Sequence, residues 1–187
     1  SPEAKAAGVD TPKGFLMVGV PGSGKSLTAK AVAGGKMPLL RFDVGAVMNS
    51  ALGASEANMR SALKLAEAIS PCVLWMDEIE KALGSGGGET DGGTSQRILG
   101  TLLTWMQERA AHVFLVLTAN SVQELPPEMV RKGRVDEIFF IDLPGASARS
   151  EIFRLHLERR SEASGRFDLA QLAEASAGFS GAEIEQA

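Results

Sequence analysis

The sequence lacks several features that would assign a chain to a structural class at once, namely paired cysteines, a long apolar run and a long basic run. It has one cysteine, Cys72, in 187 residues, which excludes a framework of intrachain disulfides and favours a reducing compartment. No apolar run approaches the ~20 residues that span a bilayer, and no signal-peptide pattern opens the chain. There is no long basic run and the net charge is −4, so nucleic acid is not indicated as a partner.

What the chain does have is the composition of an ordinary soluble globular protein. Apolar residues make up 44% and charged residues 22% of the sequence, and the length favours one domain or one domain with a small appendage. The apolar surroundings of Cys72 (PCVLWM) predict a buried thiol rather than a catalytic one. The last residues stop within a helical pattern, so we expect the sequence to be a piece of a longer chain.

Five short apolar runs alternate with stretches of helical spacing. The predicted strands are 15–20, 39–43, 73–77, 113–118 and 138–142. The predicted helices between them are 26–33, 55–70 and 95–110. The runs are nearly continuous rather than alternating, as in strands buried on both faces, and the strand–helix order predicts a doubly wound α/β sheet.

The end of the chain has a different pattern. After Pro144 no further strand is predicted, and two helices and the start of a third follow. We therefore expect a large α/β region over 1–143 and a small helical region over 144–187. A glycine-rich stretch, 84–93, predicts a flexible surface loop.

The stretch GVPGSGKS, residues 19–26, follows the first strand and precedes a helix. Gly19, Gly24, Lys25 and Ser26 fit G-x-x-x-x-G-K-[ST] in the required context. Glycines let successive backbone N–H groups face phosphates, and the helix N-terminus adds a favourable dipole. Lys25 can then reach the β- and γ-phosphates and Ser26 can offer its hydroxyl to Mg²⁺. A glycine turn with a solvated lysine is the alternative, which this context disfavours.

Two acidic residues end the third predicted strand, VLWMDE. Asp77 at the carboxyl end of a strand can hold a metal directly or through water, and Glu78 can act as general base on an attacking water. The same pair could instead cap the next helix. The phosphate-binding pattern upstream favours the catalytic interpretation.

Three further polar residues follow the fourth strand. Asn120 in VFLVLTAN can orient a water beside Glu78, although asparagine is also common in turns. Arg131 and Arg134 in RKGRVDE can stabilise charge that develops in phosphoryl transfer. Taken alone, this last stretch is more typical of a solvated basic turn.

Taken in order, these motifs resemble an AAA+ ATPase of the classical AAA type. GVPGSGKS corresponds to Walker A, VLWMDE to Walker B, Asn120 to sensor 1 and RKGRVDE to the second region of homology, while GFSGAEI resembles the small-domain motif. PCVLWMDEIEKA, LLTWMQE and LRFDVGAVM are most similar to uncharacterised AAA+ open-reading-frame proteins of plastids and cyanobacteria and their bacterial relatives. The resemblance implies a P-loop NTPase αβα sandwich with a five-stranded parallel sheet in the order 5-1-4-3-2, followed by a truncated helical lid.

The resemblance also implies roles for individual residues. It assigns nucleotide binding to Pro21, Gly22, Ser23, Gly24, Lys25, Ser26, Leu27, Asp77, His156, Gly181 and Ala182. It assigns Mg²⁺ binding to Ser26 and Asp77, and catalysis to Glu78, Asn120, Arg131 and Arg134. The arginines would act on the nucleotide of a neighbouring subunit in a ring, typically a hexamer. For His156, burial on an apolar helix face is an equally good interpretation.

The implied function is Mg²⁺-dependent binding and hydrolysis of ATP that drives conformational change or remodelling of a protein partner, in the cytoplasm or a plastid stroma. The stretch SALGASE places Ala51 and Leu52 where remodelling members carry an aromatic residue that grips a threaded chain. The absence of an aromatic residue here argues against threading of a protein partner. It leaves open a second function, an assembly scaffold switched by nucleotide with little turnover. No N-K-x-D motif is present, which disfavours a GTPase.

Overall fold

The computed structural model of the chain describes residues 8, 11–48, 54–83, 93–109, 112–131, 133–160 and 164–187. Two of the expectations above fall outside these residues. They are the stretch with Ala51 and Leu52, and all of the glycine-rich loop except Gly93.

The described residues form five strands, eight α-helices and one short 3₁₀ helix. The strands are β1 (Gly14–Gly19), β2 (Leu39–Phe42), β3 (Cys72–Met76), β4 (Val113–Ala119) and β5 (Glu137–Ile141). The helices are α1 (Lys25–Ala33), α2 (Val44–Met48), α3 (Ala54–Ile69), α4 (Ile79–Leu83), α5 (Thr94–Glu108), α6 (Ala146–Arg159), α7 (Leu169–Ala175) and α8 (Gly181–Gln186), and the 3₁₀ helix is Ser164–Arg166. Every predicted strand is present within one or two residues, whereas the short helices α2 and α4 were not predicted.

The five strands form one parallel sheet in the order β2-β3-β4-β1-β5, which is the predicted order 5-1-4-3-2 read from the opposite edge. In the centre of the sheet, Leu74 of β3 pairs with Leu115 of β4, and Leu117 of β4 pairs with Leu16 of β1. Helices lie between β1 and β2, between β2 and β3, and between β3 and β4, so these three connections are the crossovers that a parallel sheet requires.

The main core lies between these central strands and the inner faces of α3 and α5. Met59 and Leu63 of α3 and Ile98 and Leu102 of α5 are at most 3% exposed, at the i, i+4 spacing that the sequence predicted. Burial of each such side chain contributes roughly 1.5–3 kcal/mol. Ile69, predicted to belong to the same face, is instead partly exposed at the end of α3.

The side chain of Cys72, at the start of β3, is fully buried, as predicted. Its Sγ donates to the carbonyl oxygen of Ala66, and burial raises the pKa of the thiol. Both effects keep the sulfur protonated and unreactive.

The chain divides into two compact units. The first consists of Ser1–Val18 and Ser26–Phe139, and the second of Gly19–Lys25 and Phe140–Ala187. The glycine loop thus belongs to the same unit as α6, α7 and α8, although it lies far from them in sequence. The boundary between 143 and 144 stays a prediction about domains. No helix among the described residues is both long and apolar enough to cross a membrane.

Candidate functional site

In the first unit, a buried threonine organises the two acids that end β3. Met76 pairs with Leu117, so Asp77 comes next to Thr118 on the neighbouring strand. The Thr118 hydroxyl donates to Asp77 Oδ1 and accepts from the backbone N–H of Glu78 at 3.0 Å. Thr118 is fully buried. One hydroxyl therefore fixes both the carboxylate of Asp77 and the backbone of Glu78.

Asn120, one residue beyond β4, is held by a buried carboxylate on α4. Glu80 Oε1 accepts from the Asn120 side-chain amide at 2.8 Å and from its backbone N–H at 3.1 Å. The same amide lies 3.4 Å from Glu78 Oε1. Glu80 is 5% exposed, and its Oε2 has no hydrogen-bond partner among the described residues. Glu80 thus fixes the orientation of Asn120, whose side-chain amide also faces Glu78.

Glu78 itself has an unusual backbone and a charged partner. Its φ of 51° lies in the left-handed region, which residues other than glycine seldom adopt and which is typical of functional sites. Glu78 Oε2 accepts from the Lys81 ammonium at 2.5 Å, one turn further on. Hydrogen bonding to Glu78 raises the pKa of Lys81, so the ammonium stays charged.

The side chain of Asp77 is 18% exposed and lies beside a guanidinium. Besides Thr118, it faces the Arg41 guanidinium, whose Nη2 lies 3.4 Å from Asp77 Oδ2 and whose Cζ stacks 4.8 Å from the Trp75 ring centre. Ser26 is exposed in the first turn of α1. One carboxylate and one hydroxyl suit Mg²⁺, which binds oxygen ligands and keeps several waters when it bridges phosphates. The residues present therefore fit this ion.

The two arginines before β5, Arg131 and Arg134, differ in exposure. Arg131 is exposed. Arg134 is half-buried and its Nη1 donates to the carbonyl oxygen of Leu103, on α5, at 2.9 Å. Both belong to the first unit, and the hydrogen bond of Arg134 joins it to α5. They have no assigned role within their own subunit.

In the second unit, the glycine loop has the backbone that only glycines adopt without strain. Gly22 and Gly24 have φ of 77° and 95°. Lys25 is 7% exposed, and its ammonium donates to the carbonyl oxygens of Gly19 at 2.5 Å and Val20 at 2.9 Å. Pro21 is exposed, and Leu27, in α1 of the first unit, is 65% exposed. Ser23 closes the turn by donating its N–H to the Val20 carbonyl.

The loop packs directly on the N-terminus of α8. The backbone N–H of Ala182 donates to the Gly22 carbonyl at 3.3 Å. A Cβ at Gly22 would stand 2.8 Å from Ser180 Oγ and 3.0 Å from the Ala182 methyl group, so this close approach also requires glycine. A Cβ at Gly181 would stand 3.3 Å from the same carbonyl oxygen of Gly22. The structure thus brings Gly22, Gly181 and Ala182 together.

His156 lies on α6 of the second unit. Its Nδ1 is 3.7 Å from Glu185 Oε1 on α8, and its side chain is 22% exposed. The histidine thus joins two helices of the same unit. Its predicted place beside the adenine stays a prediction.

Sequence reasoning did not single out Thr118, Glu80 or Lys81. Thr118 ends an apolar run, and in the sequence it resembles any other strand residue. Its place beside Asp77 follows only from the register between β3 and β4. Glu80 and Lys81 follow Glu78 two and three residues later in DEIEK. This spacing was the signal from which their closeness to Glu78 could have been predicted.

Comparison with known proteins shows the family to which the chain belongs. Residues 15–143 match the family described as "ATPase family associated with various cellular activities (AAA)". This chain belongs to the AAA family. It is 50% identical over 182 residues to "Uncharacterized AAA domain-containing protein ycf46" of Pyropia yezoensis, covering 96% of this chain and 37% of that protein. The protein of the same name in Guillardia theta is 47% identical over 188 residues, with 100% and 37% covered.

A more distant relative is the "Cell division cycle protein 48 homolog" of Archaeoglobus fulgidus. It is 33% identical over 184 residues, which cover 97% of this chain and 25% of that protein. The chain therefore spans little more than a third of the length of its ycf46 relatives. Membership of the AAA family, its P-loop fold and the similarity to ycf46 proteins confirm the resemblance seen in the sequence.

Proposed function

We propose that the protein binds ATP with Mg²⁺ and hydrolyses it, and that turnover changes the conformation of a protein partner. The observation that carries the proposal is the set of hydrogen bonds from Thr118 to Asp77 and Glu78, with Asn120 beside them. These hydrogen bonds, at the ends of two neighbouring strands, position three groups. The Asp77 carboxylate can hold a metal, the Glu78 carboxylate can accept a proton from a water, and the Asn120 amide can orient that water. Membership of a family of ATPases supports the same activity.

In this mechanism Lys25 would hold the β- and γ-phosphates, and Ser26 and Asp77 would hold Mg²⁺, which when bound would neutralise phosphate charge. Glu78 accepts a proton from a water that Asn120 orients. The water oxygen forms a bond to the γ-phosphorus as the bond to the bridging oxygen breaks, and the electron pair leaves with ADP. Thr118 and Glu80 touch none of the reacting atoms and act as positioning residues for Asp77, Glu78 and Asn120.

The proposal is tested by separating ATP binding from hydrolysis. Glu78→Gln is expected to keep ATP affinity and to lower the rate of phosphate release about 10²–10⁴-fold, because a positioned base is lost. Lys25→Ala is expected to weaken binding itself, as measured by calorimetry. Glu124→Gln, which changes an exposed carboxylate after β4, is the matched control and leaves both quantities unchanged. Unchanged hydrolysis in Glu78→Gln would remove Glu78 from the mechanism.

A second function is a scaffold that assembles when nucleotide binds and turns it over slowly. The sequence feature that favours it is the lack of an aromatic residue at Ala51 and Leu52, which lie outside the described residues. Phosphate release by the full-length protein, with and without candidate partner proteins, separates the two functions. A partner that assembles with the ATP-bound protein without raising turnover favours the scaffold.

Assembly and location complete the proposal. We propose that the active protein is a homo-oligomeric ring. The family typically forms oligomers, and within its own subunit Arg134 donates to the Leu103 carbonyl of α5. The proposed compartment is the cytoplasm or a plastid stroma, in accord with the single buried cysteine.

A further inference from the structure

The turn that carries Arg134 is fixed on both sides to the start of β1. Before the arginine, the carbonyl oxygen of Gly133 accepts from Lys13 Nζ at 3.0 Å. After it, Asp136 Oδ2 accepts from the backbone N–H groups of Lys13 at 2.6 Å and Gly14 at 2.9 Å. The Asp136 N–H in turn donates to the Gly14 carbonyl oxygen at 2.8 Å. These side-chain bonds join residues that lie 120 to 123 positions apart in sequence.

The anchor for this turn is the sheet itself. Gly14 pairs with Leu115 of β4, so the carboxylate of Asp136 holds the turn against a central strand. Arg109, which follows α5, supports the same place, since its Nη2 donates to the Lys13 carbonyl oxygen. Hydrogen bonds that an ionised carboxylate accepts are roughly twice as strong as those between neutral groups. Asp136 is therefore the main link between the turn and the sheet.

Between its two fixed ends, the turn leaves the side chain of Arg134 able to change partners. Val135, the next residue, is 7% exposed and belongs to the main hydrophobic core, which fixes the backbone further. The guanidinium of Arg134 donates to a neutral acceptor, the Leu103 carbonyl oxygen, at 2.9 Å. A phosphate is a stronger acceptor for a guanidinium than a carbonyl oxygen is. The backbone thus stays in place while the side chain can turn to a phosphate.

Asp136 lies far from the polar groups at the other end of the sheet. Its partner Gly14 pairs with Leu115, which precedes Asn120 by five residues along β4. At about 3.3 Å per residue, this stretch spans roughly 16 Å. Asp136 is thus at the amino end of the strands, whereas Asp77 and Asn120 follow the carboxyl ends. It is too far from Asn120 to act on that residue by direct contact.

We infer that Asp136 is a positioning residue that aims Arg134 at the nucleotide of a neighbouring subunit. The inference rests on the proposed ring, in which Arg134 acts in trans. It assigns Asp136 no contact with nucleotide and no part in the chemistry. Loss of Asp136 would leave ATP binding in its own subunit intact and would slow hydrolysis in the next one.

The first test measures turnover by the full-length protein. Asp136→Ala removes the acceptor and is expected to lower kcat about 10–100-fold with ATP affinity unchanged, because misplacing a catalytic group by an ångström costs up to about 10²-fold. Asp136→Asn keeps an acceptor oxygen and should retain most of the wild-type kcat. Glu137→Ala, which removes the exposed carboxylate of the next residue, is the matched control and should keep the wild-type value.

The decisive readout is which second protein restores activity to Asp136→Ala. Mixed with Lys25→Ala, it should recover part of the lost rate, since its intact glycine loop can lie next to a correctly held arginine. Mixed with Arg134→Ala, it should recover none, because neither protein then supplies that arginine. A defect in the subunit's own nucleotide site would give the opposite pattern. Either that pattern, or no recovery in either mixture by a variant that denaturant unfolding shows to be folded, would overturn the inference.

A second variant decides the case in which Asp136→Ala does not fold. Lys13→Met removes the ammonium that holds Gly133, and should lower kcat about 2–10-fold, the worth of one hydrogen bond, with the same mixing pattern. Wild-type kcat in Lys13→Met would then overturn the inference, as would wild-type kcat in a folded Asp136→Ala.

A reference mixture of Arg134→Ala and Lys25→Ala separates the inference from the proposed function. If this mixture recovers activity and the mixture of Asp136→Ala with Lys25→Ala does not, only the role of Asp136 is rejected. If the reference mixture recovers none, the shared site is rejected and the inference with it. No turnover by the wild type would reject the proposed hydrolysis as well.

Discussion

Thr118 illustrates how one buried hydroxyl can determine the geometry of two acids. It donates to Asp77 and accepts from the Glu78 N–H, and both partners lie at the carboxyl end of β3. Removing the hydroxyl leaves a buried N–H and a carboxylate oxygen without this partner. The cost of such unsatisfied groups exceeds the worth of the hydrogen bonds themselves.

Thr118→Val should therefore lower the free energy of unfolding by about 1–3 kcal/mol. The same change should lower kcat, by up to about 10²-fold if the carboxylates move by an ångström. Thr118→Ser keeps the hydroxyl and should retain most of both. Denaturant unfolding and phosphate release measure the two effects, and a Val variant with wild-type stability and turnover would show that Thr118 positions nothing.

At the scale of single elements, α8 begins with three hydrogen bonds between Ser180 and Glu183. Ser180 Oγ accepts from the Glu183 N–H, and the Glu183 carboxylate accepts from the Ser180 N–H at 2.7 Å and from its hydroxyl at 2.8 Å. These bonds, the backbone one first, lower the pKa of Glu183 below its ordinary value. They satisfy N–H groups that every helix start leaves without an intrahelical partner.

The lowered pKa makes the stability of α8 depend on pH. Because the folded pKa of Glu183 is the lower one, its contribution is complete above the unfolded pKa and is lost as pH falls through the folded value. Glu183→Gln should therefore be less stable than the wild type near neutral pH, and the difference should vanish below the folded pKa. Thermal unfolding of both proteins across the acid range checks this. A difference that persists at the acid end would assign the effect to packing instead of charge.

The elements show how far the sequence alone could lead. The strands were predictable because continuous apolar runs such as Val73–Met76 belong to strands buried on both faces. The helix α4 was not, since five residues with two charges carry too little periodicity. The contact between Gly22 and Ala182 was not predictable either, because it joins residues far apart in sequence through a single backbone hydrogen bond.

At the scale of the whole molecule, the proposed ring makes a specific demand on Arg134. Within its own subunit this side chain donates to the Leu103 carbonyl, a contact that costs little to exchange for a phosphate of a neighbour. If Arg134 acts in trans, a mixture of two inactive proteins, Arg134→Ala and Lys25→Ala, should recover part of the wild-type rate. In some mixed rings, a subunit with an intact Lys25 would lie next to a subunit with an intact Arg134.

The mixture is compared with each variant alone at the same total concentration. Arg97→Ala, which changes an exposed arginine on α5, replaces Arg134→Ala in the control mixture. The wild-type protein is also diluted through the concentration range where the oligomer dissociates. If its activity per molecule stays constant over this range, the active site is not shared between subunits.

The packing of the glycine loop on α8 also has a consequence for the order in which the chain is made. Gly22 leaves the ribosome about 160 residues before Ala182, its hydrogen-bond partner. At about 5–20 residues per second, this interval lasts roughly 8–30 s. During that time β4 and β5, the neighbours of β1 in the sheet, emerge, whereas the loop still lacks the surface of α8 that Gly22 fits. A nascent chain therefore acquires its phosphate-binding backbone in final form only after α8 has emerged.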